Sequence, residues 1–301
     1  MPQHKKFTGV IAALLLPRDD EDQPAWQDFD RNARFVLDAG VTAFCVNGAT
    51  GEFAGATHEE RREVIVRARR AAGASGAVLS GIGATRWREI LALAREAVDA
   101  GADGLLAPPP HFFPYEQTDL AEYYQRLTAE LAVPILIYNL PAFTTGVDPS
   151  LAAHLVRTVP GIAGVKDSSG RLGLLEDLAA NGRGDAVALV GNDSVLAEAL
   201  RRNLCDGCIS GVAGVLPELT LALWQSGQAR DGGNLARAAA ALDSLLAKLE
   251  AFPTPWALKL IAELRGLAPA ALSLPLSAER RAQVDDFRCW FPAWWESAKA
   301  A

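Results

Sequence analysis

Short uninterrupted apolar runs alternate along the chain with longer stretches in which apolar residues recur at helical spacing. The runs are Val10–Leu16, Thr42–Asn47, Val78–Ile82, Gly104–Ala107, Ile135–Asn139, Ala163–Lys166, Val187–Gly191 and Gly207–Ser210. Continuous apolar character over about four to eight residues marks a strand covered on both faces, as in a parallel sheet. Between them lie Ala/Leu/Arg/Glu-rich segments such as Glu59–Ala72, Trp87–Ala100 and Thr118–Leu131, which read as helices. Glycine follows several of them, as in Asp38-Ala39-Gly40 and Asp99-Ala100-Gly101, where it suits a left-handed C-cap. Strand–helix alternation implies an α/β fold with a parallel sheet. Eight repeats favour closure into a (β/α)8 TIM barrel over an open sheet. No G-x-G-x-x-G follows the first strand, and Gly81-x-Gly83 is too short to be a dinucleotide fingerprint.

Past residue 225 the strand signal stops. Asn234–Glu250, Pro255–Gly266 and Ser277–Ser297 read as helices, the second with Pro in its first turn. The expected organisation is a barrel over 1–225 and a three-helix extension over 226–301. Trp256, Trp290, Trp294 and Trp295 in this tail predict packing on the barrel's outer ring or at a subunit contact.

Composition adds exclusions. Half of the 301 residues are apolar, and the net charge is −7. A mildly acidic surface argues against nucleic-acid binding and suits a cytoplasmic protein. The arginines at 61, 62, 67, 69 and 70 alternate with Glu59, Glu60 and Glu63, the pattern of an exposed helix. His4-Lys5-Lys6 and the apolar run to Leu16 resemble the start of a signal peptide, but Pro17-Arg18-Asp19-Asp20 follows without a small-residue cleavage site. The run is too short to span a membrane and reads as a strand. Cys205-x-x-Cys208 has no second pair and no nearby histidine, so buried thiols are expected rather than a metal or redox site.

In a barrel, reactive groups stand at the C-terminal ends of strands. After the second run, Asn47-Gly48-Ala49-Thr50-Gly51-Glu52 forms a small-residue turn whose N–H groups suit a carboxylate or phosphate, although an ordinary loop looks the same. Glu52 is expected to bond to backbone or to hold a subunit contact. The fifth run ends in Tyr138, which fits a proton relay or a packed aromatic equally well. The sixth ends in Lys166. Enclosing an ammonium in an apolar barrel disfavours its charged form, and a neutral amine attacks carbonyl carbon. A lysine snorkelling to the rim has the same sequence. Gly191 and Ile209, at the ends of the seventh and eighth runs, offer backbone groups to a ligand or form plain turns.

Taken together, these segments resemble the dihydrodipicolinate synthase / N-acetylneuraminate lyase family over nearly the whole chain. Gly48-Ala49-Thr50-Gly51-Glu52 stands for the family's G-[ST]-T-G-E, Tyr138-Asn139-Leu140-Pro141 for Y-N-x-P, and Gly164-Val165-Lys166-Asp167-Ser168-Ser169-Gly170 for its lysine motif. The resemblance implies that Lys166 forms a Schiff base with a 2-oxo acid such as pyruvate, and that Tyr138 shuttles protons. It implies that Thr50, with the N–H groups of Ala49 and Thr50, holds the carboxylate, while Gly191 and Ile209 line the pocket. It implies no metal and no diffusible cofactor, an aldehyde as the other partner, and a homodimer or homotetramer.

The departures narrow the expectation. Phe143 stands where the synthases carry an arginine for the second substrate's carboxylate, so an authentic dihydrodipicolinate synthase is not expected. Ser194 replaces the glutamate that the neuraminate lyases carry after Asp193. Ala49 lacks a hydroxyl, and Pro110-His111-Phe112-Phe113 puts phenylalanines where many members place a relay tyrosine from the neighbouring subunit. Three readings follow. The first is an aldolase cleaving a 2-oxo-3-deoxy acid to pyruvate and an aldehyde. The second is a Schiff-base dehydratase of a deoxy-oxo sugar acid, and the third a non-catalytic barrel that binds a 2-oxo acid. With Phe112 and Phe113, Phe143 would make the aldehyde end apolar.

Overall fold

The computed structural model describes residues 7–300. Eight parallel strands close in sequence order: β1 (Gly9–Ala13), β2 (Ala43–Val46), β3 (Ala77–Gly81), β4 (Gly104–Ala107), β5 (Ile135–Asn139), β6 (Ile162–Asp167), β7 (Val187–Val190) and β8 (Gly207–Ser210), which returns to pair with β1. Helices α1 (Trp26–Asp38), α2 (His58–Ala72), α3 (Trp87–Asp99), α4 (Gln117–Glu130), α5 (Pro149–Thr158), α6 (Gly173–Asn181), α7 (Leu196–Arg201) and α8 (Pro217–Gln228) follow the strands in turn. Then come α9 (Gly232–Leu249), α10 (Trp256–Leu264) and α11 (Ala278–Ala300). This is the (β/α)8 barrel with C-terminal helices expected from the alternation.

The strands read as unbroken apolar runs because each is buried on both faces. Ile11, Cys45, Leu79, Leu136, Tyr138, Leu189 and Ile209 fill the interior, closed at the far end by Phe7. Val10, Phe44, Val78, Ile137, Val165 and Val190 face the helices, and Leu242, Ile261, Phe287 and Phe291 of the C-terminal helices join that same outer core. Trp290, Trp294 and Trp295 pack against it partly buried, Trp290 and Trp294 stacked with ring centres 5.3 Å apart. Cys208 faces the outer core, and Cys205 is buried just before β8. Burial pushes both thiols up, Cys205 to about 11.

Several boundaries differ from the sequence reading. β1 stops at Ala13; Leu14, Leu15 and Leu16 are buried loop, with the Leu14 N–H donating to the Cys45 carbonyl at 3.0 Å. An apolar run marks burial, and burial extends past the ladder. Pro255 lies before α10 rather than inside its first turn. α8 runs to Gln228, across residue 225. Gly40 and Gly101 do follow α1 and α3 at φ of +104° and +99°. His4, Lys5 and Lys6 lie outside the described residues; the apolar run behind them is β1. Among the described residues no helix is long and apolar enough to cross a membrane.

β6 departs from regular pairing in a way that matters for chemistry. Ile135 pairs with Ile162, but Leu136 pairs with Gly164, so Ala163 is an extra residue. Strand side chains alternate faces, and a bulge resets that phase. Ala163 faces inward, Val165 outward, and Lys166 is registered with the inward Tyr138. Gly164 permits this: a Cβ there would stand 2.2 Å from the Val187 carbonyl oxygen. Gly164→Ala is expected to cost about 1–3 kcal/mol, the range for overpacking a close contact. Urea unfolding of the purified variant measures it, and an unchanged midpoint would show that β7 yields freely.

Candidate active site

The C-terminal ends of β5 and β6 carry the candidate reactive pair. Lys166 and Tyr138 are 5% and 3% exposed, and the lysine Nζ lies over the tyrosine ring, 4.1 Å from its centre. Gly191, directly after β7, donates its N–H to the Asp167 carbonyl at 2.7 Å and presses its Cα side against the lysine stem. The ends of β5 and β6 are braced from outside. Asn139 donates to the Asp167 carboxylate at 2.8 Å, and its own amide oxygen accepts from the Val147 N–H at 3.0 Å. Ser169 adds a hydroxyl bond to Asp167 at 2.9 Å. Burial pushes the Asp167 carboxyl up, and these bonds pull it back.

Ala49 and Thr50 open a 3-10 turn, Ala49–Gly51, after β2. The first N–H groups of such a turn have no carbonyl behind them, which leaves them to a ligand. Thr50 is near the end of β8: a Cβ on Gly211 would meet the Thr50 Oγ1 at 3.2 Å and Leu258 Cδ1 at 2.8 Å. Glu52, at φ +50°, ends the turn and pairs with buried Lys259 of α10, which also donates to the Ala271 carbonyl at 2.7 Å. Within the chain its partner is therefore a side chain rather than the expected backbone. Ile209 lies in the barrel interior, in the same buried cluster as Tyr138.

The structure thus gathers Lys166, Tyr138 and Gly191, brings Thr50 close to the end of β8, and places Ile209 in the barrel interior. Phe143 is apart from this group, 62% exposed in the loop after β5. It lines a vestibule of about 1190 Å³ together with Ala49, Glu52, His111, Phe112 and Lys259. Lys166, Tyr138, Thr50, Gly191 and Ile209 are not on that wall.

Two participants escaped the sequence reading. Asp193, half-buried after β7, turns toward the Ser210 hydroxyl, the Val212 N–H and Lys166. Burial pushes its carboxyl up to about 6, while those three neighbours pull it down. Lys259 was missed although it is the lone cation in the apolar stretch Trp256–Ala262. His111 packs edge-on to Phe53 with ring centres 5.7 Å apart, and its buried Nδ1 has no hydrogen-bond partner among the described residues. Burial pushes the imidazole down.

The sequence model of the dihydrodipicolinate synthetase family matches residues 6–287. The chain belongs to that family. A 4-hydroxy-tetrahydrodipicolinate synthase from Salinibacter ruber is 34% identical over 212 residues, 70% of either chain. An uncharacterised DapA-like lyase from Halobacterium salinarum is 32% identical, with 89% of this chain and 88% of the relative covered. The crystal structure of dihydrodipicolinate synthase from Aquifex aeolicus superposes with a TM-score of 0.88 at 24% identity, covering 96% of this chain and 98% of that one. At that identity the likeness establishes the fold. Members of the family are carbon–carbon lyases and synthases, so a class I aldolase or lyase framework is in place.

Two outcomes check the geometry. In Gly191→Ala the new methyl would stand 2.6 Å from Lys166 Cε and 2.2 Å from the Ser168 Oγ. Lys166 must then shift, and reductive trapping of a 2-oxo acid is expected to slow with circular dichroism unchanged. For Asp193 the folded value of about 6 lies above the ordinary 3.8. Between them the folded protein holds a proton that the unfolded chain has released, so stability falls as pH rises through that window. Asp193→Asn should exceed the parent in urea above about pH 6 and match it below about pH 4. Parallel pH profiles would rule out the raised carboxyl.

Proposed function

We propose that this chain is a Schiff-base aldolase that cleaves, or forms, a 2-oxo-3-deoxy acid, giving pyruvate and an aldehyde. The observation that carries the reading is the inward, enclosed Lys166 lying against Tyr138 at the ends of neighbouring strands. The Lys166 amine adds to C2 of the 2-oxo acid, and loss of water gives an iminium. The Ala49 and Thr50 N–H groups and the Thr50 hydroxyl hold the C1 carboxylate. Tyr138 takes the proton of the C4 hydroxyl as the C3–C4 bond breaks. The bonding pair moves toward the iminium nitrogen, leaving an enamine, and the aldehyde departs. Protonation at C3 and hydrolysis release pyruvate and restore the amine. The residues for each step belong to the chain, so no metal or diffusible cofactor enters the proposal.

The reading is not that of a dihydrodipicolinate synthase, because Phe143 replaces the arginine fork for a second carboxylate, and Arg18, Lys259 and Arg288 of the same vestibule are each paired with a carboxylate. A dehydratase is the second reading. It is favoured by Ala49, which has no hydroxyl to relay a proton, and by the phenylalanines of the loop after β4. A dehydratase would convert a deoxy-oxo sugar acid to a dicarbonyl product with its carbon chain intact. The assembly proposed is a homodimer or homotetramer in the cytoplasm, with no nucleic-acid or membrane partner.

Borohydride reduction in the presence of pyruvate tests the central claim. A stable adduct mapped to Lys166 by mass, absent from Lys166→Ala, is expected, and the variant should lose turnover by orders of magnitude. Folded protein that traps neither pyruvate nor longer 2-oxo acids would leave the non-catalytic barrel as the reading.

A further inference from the structure

Of the five large apolar side chains left exposed among the described residues, three line the one vestibule: Phe112 (83%), Phe143 (62%) and Leu274 (64%). A fourth, Phe113, packs edge-on to Phe112 with ring centres 5.0 Å apart. They come from three separate segments: the loop after β4, the loop after β5, and the stretch before α11. Leaving apolar surface in water costs about 25 cal/mol per Å², and its convergence on one hollow from unrelated parts of the chain marks something to be covered. Ala49 and Leu140 belong to its wall, and they follow β2 and the Tyr138–Asn139 end of β5. The hollow therefore adjoins the turn that carries Thr50 and the strand end that carries Tyr138.

The charges on the wall point the same way. Arg18 holds the Glu60 carboxylate through two bonds of 3.0 and 3.2 Å and donates to the Asp22 carbonyl at 2.7 Å. Lys259 pairs with Glu52, and Arg288 binds Glu263 at 2.9 Å. Each cation on the wall thus already has a carboxylate, and Asp19 and Asp20 add negative charge at the rim. An acidic group entering here would be desolvated without a free partner, or would have to break a pair. The rings of Phe112 and Phe143 offer neither donor nor acceptor to a chain of hydroxyls.

We infer that the distal half of the substrate is uncharged and apolar, with an aryl aldehyde as the class that fits. The inference rests on the Schiff-base reading above. The compound cleaved is then a 4-aryl-4-hydroxy-2-oxobutanoate. Its iminium with Lys166 forms as water leaves, and the 4-hydroxyl gives up its proton. The C3–C4 electrons become the enamine double bond, and the aryl aldehyde departs with its carbonyl formed at C4. Protonation at C3 and addition of water return pyruvate and the free amine. Rings of Phe112 and Phe143 supply apolar area to the arene, and Leu274 closes the outer side.

The test runs the reaction in the direction of synthesis, with pyruvate and one of benzaldehyde, erythrose or succinic semialdehyde. Borohydride trapping of pyruvate on Lys166 is measured in parallel. Benzaldehyde is expected to exceed the other two in kcat/KM by about 10-fold or more, within the range that apolar pockets discriminate. Phe143→Arg should lower the benzaldehyde value and raise that of the carboxylated aldehyde. Equal or better use of erythrose or succinic semialdehyde, with trapping intact, overturns the inference and leaves the aldolase reading standing. So does intact trapping with none of the three consumed. Loss of trapping overturns the aldolase reading itself. If Phe112→Ser and Phe143→Ser change the mass by light scattering but leave the order of aldehydes unchanged, the patch is a subunit contact and the inference fails.

Discussion

The chemistry depends on one extra residue in one strand. A regular β6 with Ile162 outward and Ala163 inward would point Lys166 at the helices, into an apolar layer where an ammonium has no partner. The bulge at Ala163 reverses the phase, so that Lys166 joins Tyr138 inside the barrel mouth. Everything near the site accommodates that turn. Gly164 lets β7 approach, and Gly191 lets the lysine stem pass. The Asn139–Asp167–Ser169 bonds hold the two strand ends at the height where the amine and the tyrosine meet.

This also explains what the chain's pattern revealed and what it concealed. The barrel was legible because eight strands buried on both faces write eight continuous apolar runs. The same double burial erases the period of two, so no pattern shows which way a given residue faces. The inward direction of Lys166 was expected from a resemblance and from its place at a strand end; the bulge that produces it left no separate mark. Leu14–Leu16 misled for a related reason, because a buried loop and a buried strand have the same composition. The pairing of Glu52 with Lys259 joins residues more than two hundred positions apart, and local reading does not reach across that distance. A trace existed nonetheless: one lysine among Trp256, Ala257, Leu258, Leu260 and Ile261 has to find a carboxylate.

That pair matters to the site beyond its own energy. Glu52 ends the turn that presents the Ala49 and Thr50 N–H groups, and Leu258, next to Lys259, stands close to Gly211 near Thr50. A helix outside the eight-fold repeat therefore supports the turn proposed to hold the carboxylate from two sides. Removing one member of such a pair leaves a buried charge, which costs more than the pair contributes. The C-terminal helices are accordingly part of the machinery's support, in line with their sharing of the outer core.

Charge is distributed by depth. Near the barrel axis Asp193 turns toward Lys166, and burial raises its half-buried carboxyl to about 6. Farther out every arginine and lysine on the vestibule wall is matched within the chain, and Phe112, Phe143 and Leu274 leave large apolar surface there. A molecule with a carboxylate at one end and an apolar body at the other meets a gradient that orients it. In the proposed binding mode the acid lies inward at the open N–H groups and the amine, while the body stays among the rings. The same gradient works against a ligand charged at both ends, since its second anion would have to sit beside carboxylates whose cations are already engaged. On the proposed reading, selectivity for the distal half of the substrate comes from leaving no cation unpaired there.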